Sequence, residues 1–330
     1  MTPNVDLVVS SLLCAEENDA ICDFDDDDGF VDDYENKNKN ENLVMDLESV
    51  FNLPLQNEEG LTLLTLKQSE QFVGFVDYLH KLKDQSFLLV ARQQAVDWIS
   101  KVHTHFSFGP LCAYLSVNYL DRFLAVYELP KDKPWMIQLL AVTCLSLGGK
   151  MDETEMPLIL DMQEAGGSRF VFEAKTIQRM ELVVLSTLDW RMKSVTPFSF
   201  IDSFIAKIND KSQSQMSSRS LILKSTQLIL GLIKGIDFLE FQPSEIASAV
   251  AIYVVGIEVE NTQISSIFEY AKKERVIKCM ELVTKNCTMS FGSGILRSLP
   301  ESPIGVLDAA ILRYKNDDSP TCAKRRRTQH

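Results

Sequence analysis

The sequence predicts an all-α protein: two tandem five-helix sets between a disordered acidic N-terminal tail and a flexible C-terminal tail. Three observations carry that expectation. From about Thr62 to about Met289 apolar residues recur at helical spacing, and no stretch alternates with a period of two for long. In the first set, WMIQLLAVTCLSLGGKMD at 135–152 has no charge between Trp135 and Gly149. That run is too long for one face of a surface helix, so it predicts a helix buried on all sides. In the second set IASAVAIYVVG at 246–256 is again apolar and rich in small residues, which suggests a duplicated helical domain.

Taken in order, residues 1–60 are polar and acidic, with the low-complexity run ENKNKNEN at 35–42, and predict a disordered tail. The first domain is expected over 61–190, opening with a helix at about 65–82 that carries Phe72, Phe75, Val76 and Leu79 at helical spacing. A helix follows at about 86–105, with Leu88, Ala91, Ala95, Ile99 and Val102. Gly109-Pro110 breaks the chain, and 111–127 is nearly all apolar. Pro130 and Pro134 bracket the turn into the central helix at 135–152. That run is too short to span a bilayer, and it carries Gln138, Thr143 and Ser146. Its small residues let neighbours approach closely, and its last turn delivers Lys150 to the surface. A further helix is expected at about 171–187. Thr196-Pro197, a cap residue and a first-turn proline, opens the second domain, 191–290. Its helices are expected at about 197–208, 217–235, 243–257 and 272–288. The remainder, 291–330, reads as a flexible tail.

The 330 residues are 45% hydrophobic and 24% charged, as in globular proteins with room for two cores. A formal net charge of −13 argues against a surface built to neutralise nucleic-acid phosphates. The charge is uneven: eleven acidic and no basic residues lie between Glu16 and Glu35, while Lys324, Arg325, Arg326 and Arg327 close the chain as a basic tetrad. Seven cysteines form no CxxC pair and the four histidines no HxxxH, so neither disulfides nor a metal site is expected. Asp26, Asp28, Gly29 and Glu35 match four positions of a calcium loop, but Phe24 stands at the first ligand position. With no secretory signal pattern at the start, an intracellular protein without a membrane partner is expected.

The N-terminal tail contains Leu12, Cys14 and Glu16 in the pattern LxCxE. Such a segment can add to a groove as a strand, with Leu12 and Cys14 in apolar slots and Glu16 on a polar rim, although a three-position match also arises by chance. Ser302-Pro303 and Ser319-Pro320 are candidate proline-directed phosphorylation sites. The basic tetrad fits nuclear import as well as a solvated terminus.

Further motifs carry a family resemblance. Arg92-x-x-x-Val96-Asp97-Trp98-Ile99, Asn118-Tyr119-Leu120-Asp121-Arg122-Phe123-Leu124 and Leu147-Gly148-Gly149-Lys150-Met151-Asp152-Glu153 resemble the cyclin box in order and spacing. Glu173-x-x-x-Ile177-x-x-Met180-Glu181 and Leu188-Asp189-Trp190 continue it. With LxCxE near the N-terminus, the chain resembles a D-type cyclin. Glu128-Leu129-Pro130-Lys131, Thr196-Pro197-Phe198-Ser199-Phe200 and Ser302-Pro303-Ile304-Gly305 resemble the plant branch.

The resemblance implies two tandem cyclin folds and a non-enzymatic regulatory subunit without cofactor. Its implied partner is a PSTAIRE-type cyclin-dependent kinase, activated for entry from G1 into S phase. A retinoblastoma-related protein recruited through LxCxE and cyclin-dependent kinase inhibitors are further implied partners, and the nucleus, with the cytoplasm also open, is the implied location. Lys150 and Glu181 align with the pair that hydrogen-bonds backbone near the kinase C-helix. Arg92 and Asp121 align with an internal salt bridge, Leu139 with a core position, and Asp97 with a structural position of the box.

Two departures stand out. Ala91-Arg92-Gln93-Gln94-Ala95 replaces the apolar MRAIL patch and Lys101 stands where an acid is usual, so weak binding of RxL-type peptides is expected. Gly148-Gly149 replaces Ala-Ser, and two helical glycines at up to about 1 kcal/mol each predict fraying just before Lys150. A promoter-binding double cyclin fold would want a basic surface, and an enzyme a catalytic motif. A transcription-associated cyclin or a plain helical adaptor remains the alternative.

Overall fold

The computed structural model describes residues 57–72, 74–130, 133–209, 218–257 and 264–291. Among them are eleven α-helices, one short 3-10 helix and no strand. Residues up to Thr284 form one compact unit holding both helical sets; those from Lys285 form a second, of which the end of the last helix is described.

The single helix expected at 65–82 is two: α1 (Glu58–Gln71) and α2 (Phe75–Asp84). Asn57 caps α1 by accepting from the Gly60 N–H at 2.8 Å, so the helix starts before the expected tail has ended. The chain breaks around Gly74, whose φ of 92° suits glycine. Then come α3 (Ser86–Phe106), α4 (Pro110–Val126), α5 (Trp135–Asp152), α6 (Ile159–Gly166) and α7 (Ala174–Thr187). The short α6 was not expected; Gly167, at φ 65°, closes it.

The core of this set is α5, buried from Met136 to Gly149 at all but Gln138. Helices α3, α4 and α7 pack around it. Its polar residues are satisfied: the Gln138 amide donates to Phe170 O at 2.7 Å, Thr143 Oγ1 to Leu139 O at 2.8 Å and Ser146 Oγ to Glu181.

The expected fraying at Gly148-Gly149 does not occur, since α5 runs unbroken to Asp152. The glycines serve close packing. A Cβ on Gly148 would overlap Ser116 Oγ and lie 2.9 Å from Cys112 O on α4. Two helix backbones approach at this point, and only a hydrogen fits between them.

The second set comprises α8 (Phe198–Asn209), α9 (Ser218–Leu232), a 3-10 helix at Asp237–Glu240, α10 (Pro243–Val255) and α11 (Lys273–Phe291). Helix α10 takes the central place, with α8 and α9 against it. It opens on Gln242 and Glu245 in a capping box and closes at Gly256 in left-handed conformation.

On α8, Asp202 Oδ1 is buried without a hydrogen-bond partner among the described residues, and burial raises the carboxyl from 3.8 to about 6. A carboxyl raised by folding contributes stability below pH 4 that is lost as the pH rises through about 6. Asp202→Asn is therefore expected to raise the Tm at pH 7 and to leave it unchanged below pH 4. Thermal melts at the two pH values check this, and an offset independent of pH would contradict it.

Candidate functional site

The first set holds two polar clusters, one open and one closed. The open cluster sits at the C-terminal turn of α5. Ser146 and Lys150, four residues apart, share one face of α5 and both meet Glu181 on α7. Lys150 Nζ donates to Glu181 Oε1 at 2.7 Å and Oε2 at 2.8 Å, and Ser146 Oγ donates to Oε1 at 2.7 Å. The Glu181 side chain is 9% exposed and that of Lys150 49% exposed. The carboxylate is thus fixed from within by a buried hydroxyl, and it fixes the lysine in turn. Two of the three ammonium protons face Glu181, which leaves the third for an acceptor on another molecule. Exposed Met151 and Leu182, the neighbours of the pair in sequence, add apolar surface beside it.

Asp152 and Glu153 turn the other way, a role the sequence reading missed. Asp152 Oδ2 accepts from the Cys112 N–H at 2.9 Å and Glu153 Oε1 from the Gly109 N–H at 2.7 Å. They satisfy two of the N–H groups that the start of α4 leaves without helical partners, and place negative charge at its positive end. The turn that presents Lys150 is therefore anchored on α4. The missed signal was two acids placed to face Gly109-Pro110, a helix start without a capping side chain.

The closed cluster is Arg92, Asp121 and Tyr78. Arg92 Nε and Nη2 donate to the two oxygens of Asp121 at 2.7 and 2.9 Å, and Tyr78 Oη donates to Oδ1 at 2.9 Å. Both charged side chains are at most 3% exposed. Burial opposes charge on Arg92, but Asp121 more than offsets it and its pKa is raised; burial, then Asp121, raises that of Tyr78. Arg92 also donates to Lys234 O at 3.2 Å and Ile233 O at 3.1 Å, carbonyls just past the end of α9. The pair expected to hold the first box together thus also ties it to the second set. Gln68 makes a second tie, donating to Ser244 Oγ at 2.8 Å and accepting from the Ser244 N–H at 3.0 Å.

The other expected positions fall apart from these. Leu139 is fully buried in the first core. Asp97 is exposed, 3.9 Å from Lys234 Nζ, both groups being more than half exposed; such pairs contribute about 0–1 kcal/mol. Where an RxL-type groove would lie, Gln93 and Gln94 are exposed, Trp98 Nε1 donates to Ser168 Oγ at 3.1 Å, and Lys101 Nζ donates to Gly166 O at 3.2 Å. Lys101 thus caps the end of α6. Leu12, Cys14, Glu16, Ser302, Ser319 and Lys324–Arg327 lie outside the described residues. Among the described residues no group of His, Cys, Asp or Glu could hold a metal ion, and no helix is long and apolar enough to cross a membrane.

Family models for the cyclin N-terminal and C-terminal domains match residues 62–193 and 195–298. Among curated relatives, Cyclin-D4-1 of Oryza sativa is 50% identical over 254 residues, which span 74% of this chain and 68% of that protein. Cyclin-D4-1 of Arabidopsis thaliana is 39% identical over 316 residues, spanning 94% and 95%. The chain belongs to the plant D-type cyclins. A viral cyclin from herpesvirus saimiri, 14% identical, superposes with a TM-score of 0.56 over 70% of this chain and 97% of its own, so the fold is shared far beyond the sequence. Cyclins regulate protein kinases and are not themselves catalysts. In this cyclin, accordingly, the two polar clusters are candidates for recognition and for rigidity, not for chemistry.

Proposed function

We propose that this cyclin is the activating subunit of a PSTAIRE-type cyclin-dependent kinase and binds it through the face around Lys150 and Glu181. The observation that carries this is the half-exposed ammonium held over a buried carboxylate, with one donor left for a backbone carbonyl and apolar side chains beside it. A fixed donor amid exposed apolar surface suits the end of a partner helix, where carbonyls lack internal partners. Bound there, the cyclin presses the kinase C-helix inward. The kinase's Lys–Glu ion pair is then complete and its activation loop reoriented, as phosphoryl transfer requires. Leu12, Cys14 and Glu16 bring a retinoblastoma-related protein to the complex and raise its effective concentration, which promotes passage from G1 to S phase. Lys324–Arg327 direct the cyclin to the nucleus, and kinase inhibitors compete at the assembled complex.

The test mixes the full chain with a PSTAIRE-type kinase subunit carrying its activating phosphate. Activity is followed on a histone and on a retinoblastoma-related substrate. Lys150→Glu and Glu181→Ala are each expected to weaken kinase binding by about 2–5 kcal/mol and to abolish both activities at concentrations where the parent saturates. Cys14→Ala is expected to lower activity on the retinoblastoma-related substrate alone. Full activity in both box variants would overturn the kinase-binding face. Equal activity of Cys14→Ala and parent on both substrates would overturn the tethering.

A further inference from the structure

Beyond α7 the chain makes a turn that the functions above leave unused. Asp189 and Trp190 both adopt left-handed φ, 52° and 58°, a conformation uncommon outside glycine. The turn holds Trp190 with 64% of its surface exposed. Its backbone is pinned from three sides. The Trp190 N–H donates to Leu185 O at 2.9 Å. From α4, Tyr119 Oη donates to Met192 O at 2.7 Å, and Arg122 Nη1 donates to Arg191 O at 2.8 Å and Ser194 Oγ at 3.1 Å. From α1, Gln71 donates to Lys193 O at 3.1 Å and accepts from the Val195 N–H at 2.8 Å. Strained backbone that its surroundings hold in place, presenting a rigid exposed indole, has the character of a binding surface.

The chemistry around the indole narrows the ligand. Val126, one helical turn beyond Arg122, is 60% exposed. Arg191 and Lys193 are exposed, and neither they nor Arg122 has a carboxylate within ion-pair distance among the described residues. Asp189 is the one acid whose charge bears on Arg122. An exposed indole with three cations that lack ion-pair partners among the described residues suits an acidic segment that also carries aromatic residues. This chain contains one. Asp23–Tyr34 has seven aspartates and no lysine or arginine, with Phe24, Phe30, Val31 and Tyr34 among them. The reach suffices as well. Gln71, which touches the turn, ends α1; Asn57 precedes its start, one helix length or about 21 Å away. The 22 residues from Glu35 to Gln56 can span up to about 75 Å.

We propose that the acidic segment Asp23–Tyr34 docks in cis on the Trp190 turn, its aspartates toward Arg122, Arg191 and Lys193 and an aromatic side chain against Trp190. Glu16 lies only seven residues before Asp23, so docking holds the LxCxE motif beside the folded body. A protein bound to that motif is then confined within a short tether.

The experiment is brief chymotrypsin digestion of the full chain, with cleavage after Phe24, Phe30 and Tyr34 followed by mass spectrometry. Parent protein is compared with Trp190→Asn, Arg191→Glu/Lys193→Glu, and a tail variant with Asp25, Asp26, Asp27 and Asp28 replaced by asparagine. Asparagine tolerates left-handed φ, and the tail variant leaves the folded body untouched. Cleavage tracks the population of undocked segment, so all three variants are expected to be cut roughly tenfold faster than the parent. In the parent, raising the salt from 50 to 500 mM is expected to speed cleavage similarly, because it screens the exposed charges. Equal rates in parent and variants would overturn the proposal, and protection that rises with protein concentration would place the segment on a second copy and overturn docking in cis. No kinase or retinoblastoma-related protein is present, so the outcome is independent of the function proposed above.

Discussion

Removing one partner of the Arg92–Asp121 pair is expected to destabilise the protein by about 3–5 kcal/mol, because the remaining charge stays buried without its counter-ion. Asp121→Leu strands a guanidinium that is 2% exposed, together with the Tyr78 hydroxyl. Arg92→Met strands the carboxylate and also the carbonyls of Ile233 and Lys234. Arg92→Met is expected to cost a similar amount, since Ile233 is half-buried and Lys234 exposed and their carbonyls can turn to water, whereas the hydroxyl left by Asp121→Leu belongs to buried Tyr78. The Arg92→Met/Asp121→Leu double variant should recover most of the loss of the Asp121 single variant, as buried ion pairs replaced whole by apolar residues of similar volume often are. It should not recover fully, because the buried Tyr78 hydroxyl still lacks the acceptor that Asp121 supplied. Urea and thermal unfolding of the four proteins measures this. If the double variant lost the sum of the single losses, the pair would not be coupled and the account would fail.

That cluster marks the boundary of what the sequence made legible. The pair itself followed from the resemblance, and the bounds of α5 at Trp135 and Asp152 followed from the sequence, because an uncharged run ending in Lys150 and Asp152 leaves little choice. Arg92's bonds to Ile233 O and Lys234 O, and Gln68's to Ser244, span 141 to 176 residues. A carbonyl carries no residue identity and one glutamine among many no period, so neither tie leaves a trace in composition or spacing. The break between α1 and α2 was missed because Phe72, Phe75 and Leu79 keep helical spacing across it; Phe72 and Phe75 in fact stack at 5.6 Å over the turn. Helix α6 was missed because only Met162, Gln163 and Gly166 in its eight residues are buried, while Leu160 within it and Leu158 just before it are exposed. Such a segment lacks the apolar stripe by which a helix is read. At the candidate partner face, Lys150 and Glu181 were both named from their motif. What joined them, the hydroxyl of Ser146 one turn before Lys150, needed the packing of α7 on α5 to be seen.

The two glycines before Lys150 show how one residue type can play opposite parts at adjacent positions. Gly148→Ala is expected to destabilise by about 1–3 kcal/mol, the usual range for overpacking a tight core. Its new Cβ would meet Ser116 Oγ and the backbone carbonyl of Cys112, and that carbonyl already accepts from Ser116 Oγ at 2.7 Å. The hydroxyl is thus held where the methyl would go, and the backbone behind it belongs to a helix whose start is fastened by Asp152 and Glu153. Gly149→Ala points elsewhere. Its Cβ would overlap Met156 Sδ and Cε, the far end of a flexible side chain that can swing away. The gain in helix propensity from glycine to alanine, about 0.8–1 kcal/mol, then decides the sign, so Gly149→Ala is expected to be neutral or slightly stabilising. Adding Ser116→Gly to Gly148→Ala should restore part of the loss, because it removes the nearer of the two obstacles. Thermal unfolding of the three variants separates close approach from plain propensity. If Gly148→Ala and Gly149→Ala shifted the Tm equally and in the same direction, propensity alone would account for both, and the packing of α4 on α5 at Gly148 would not be the constraint described.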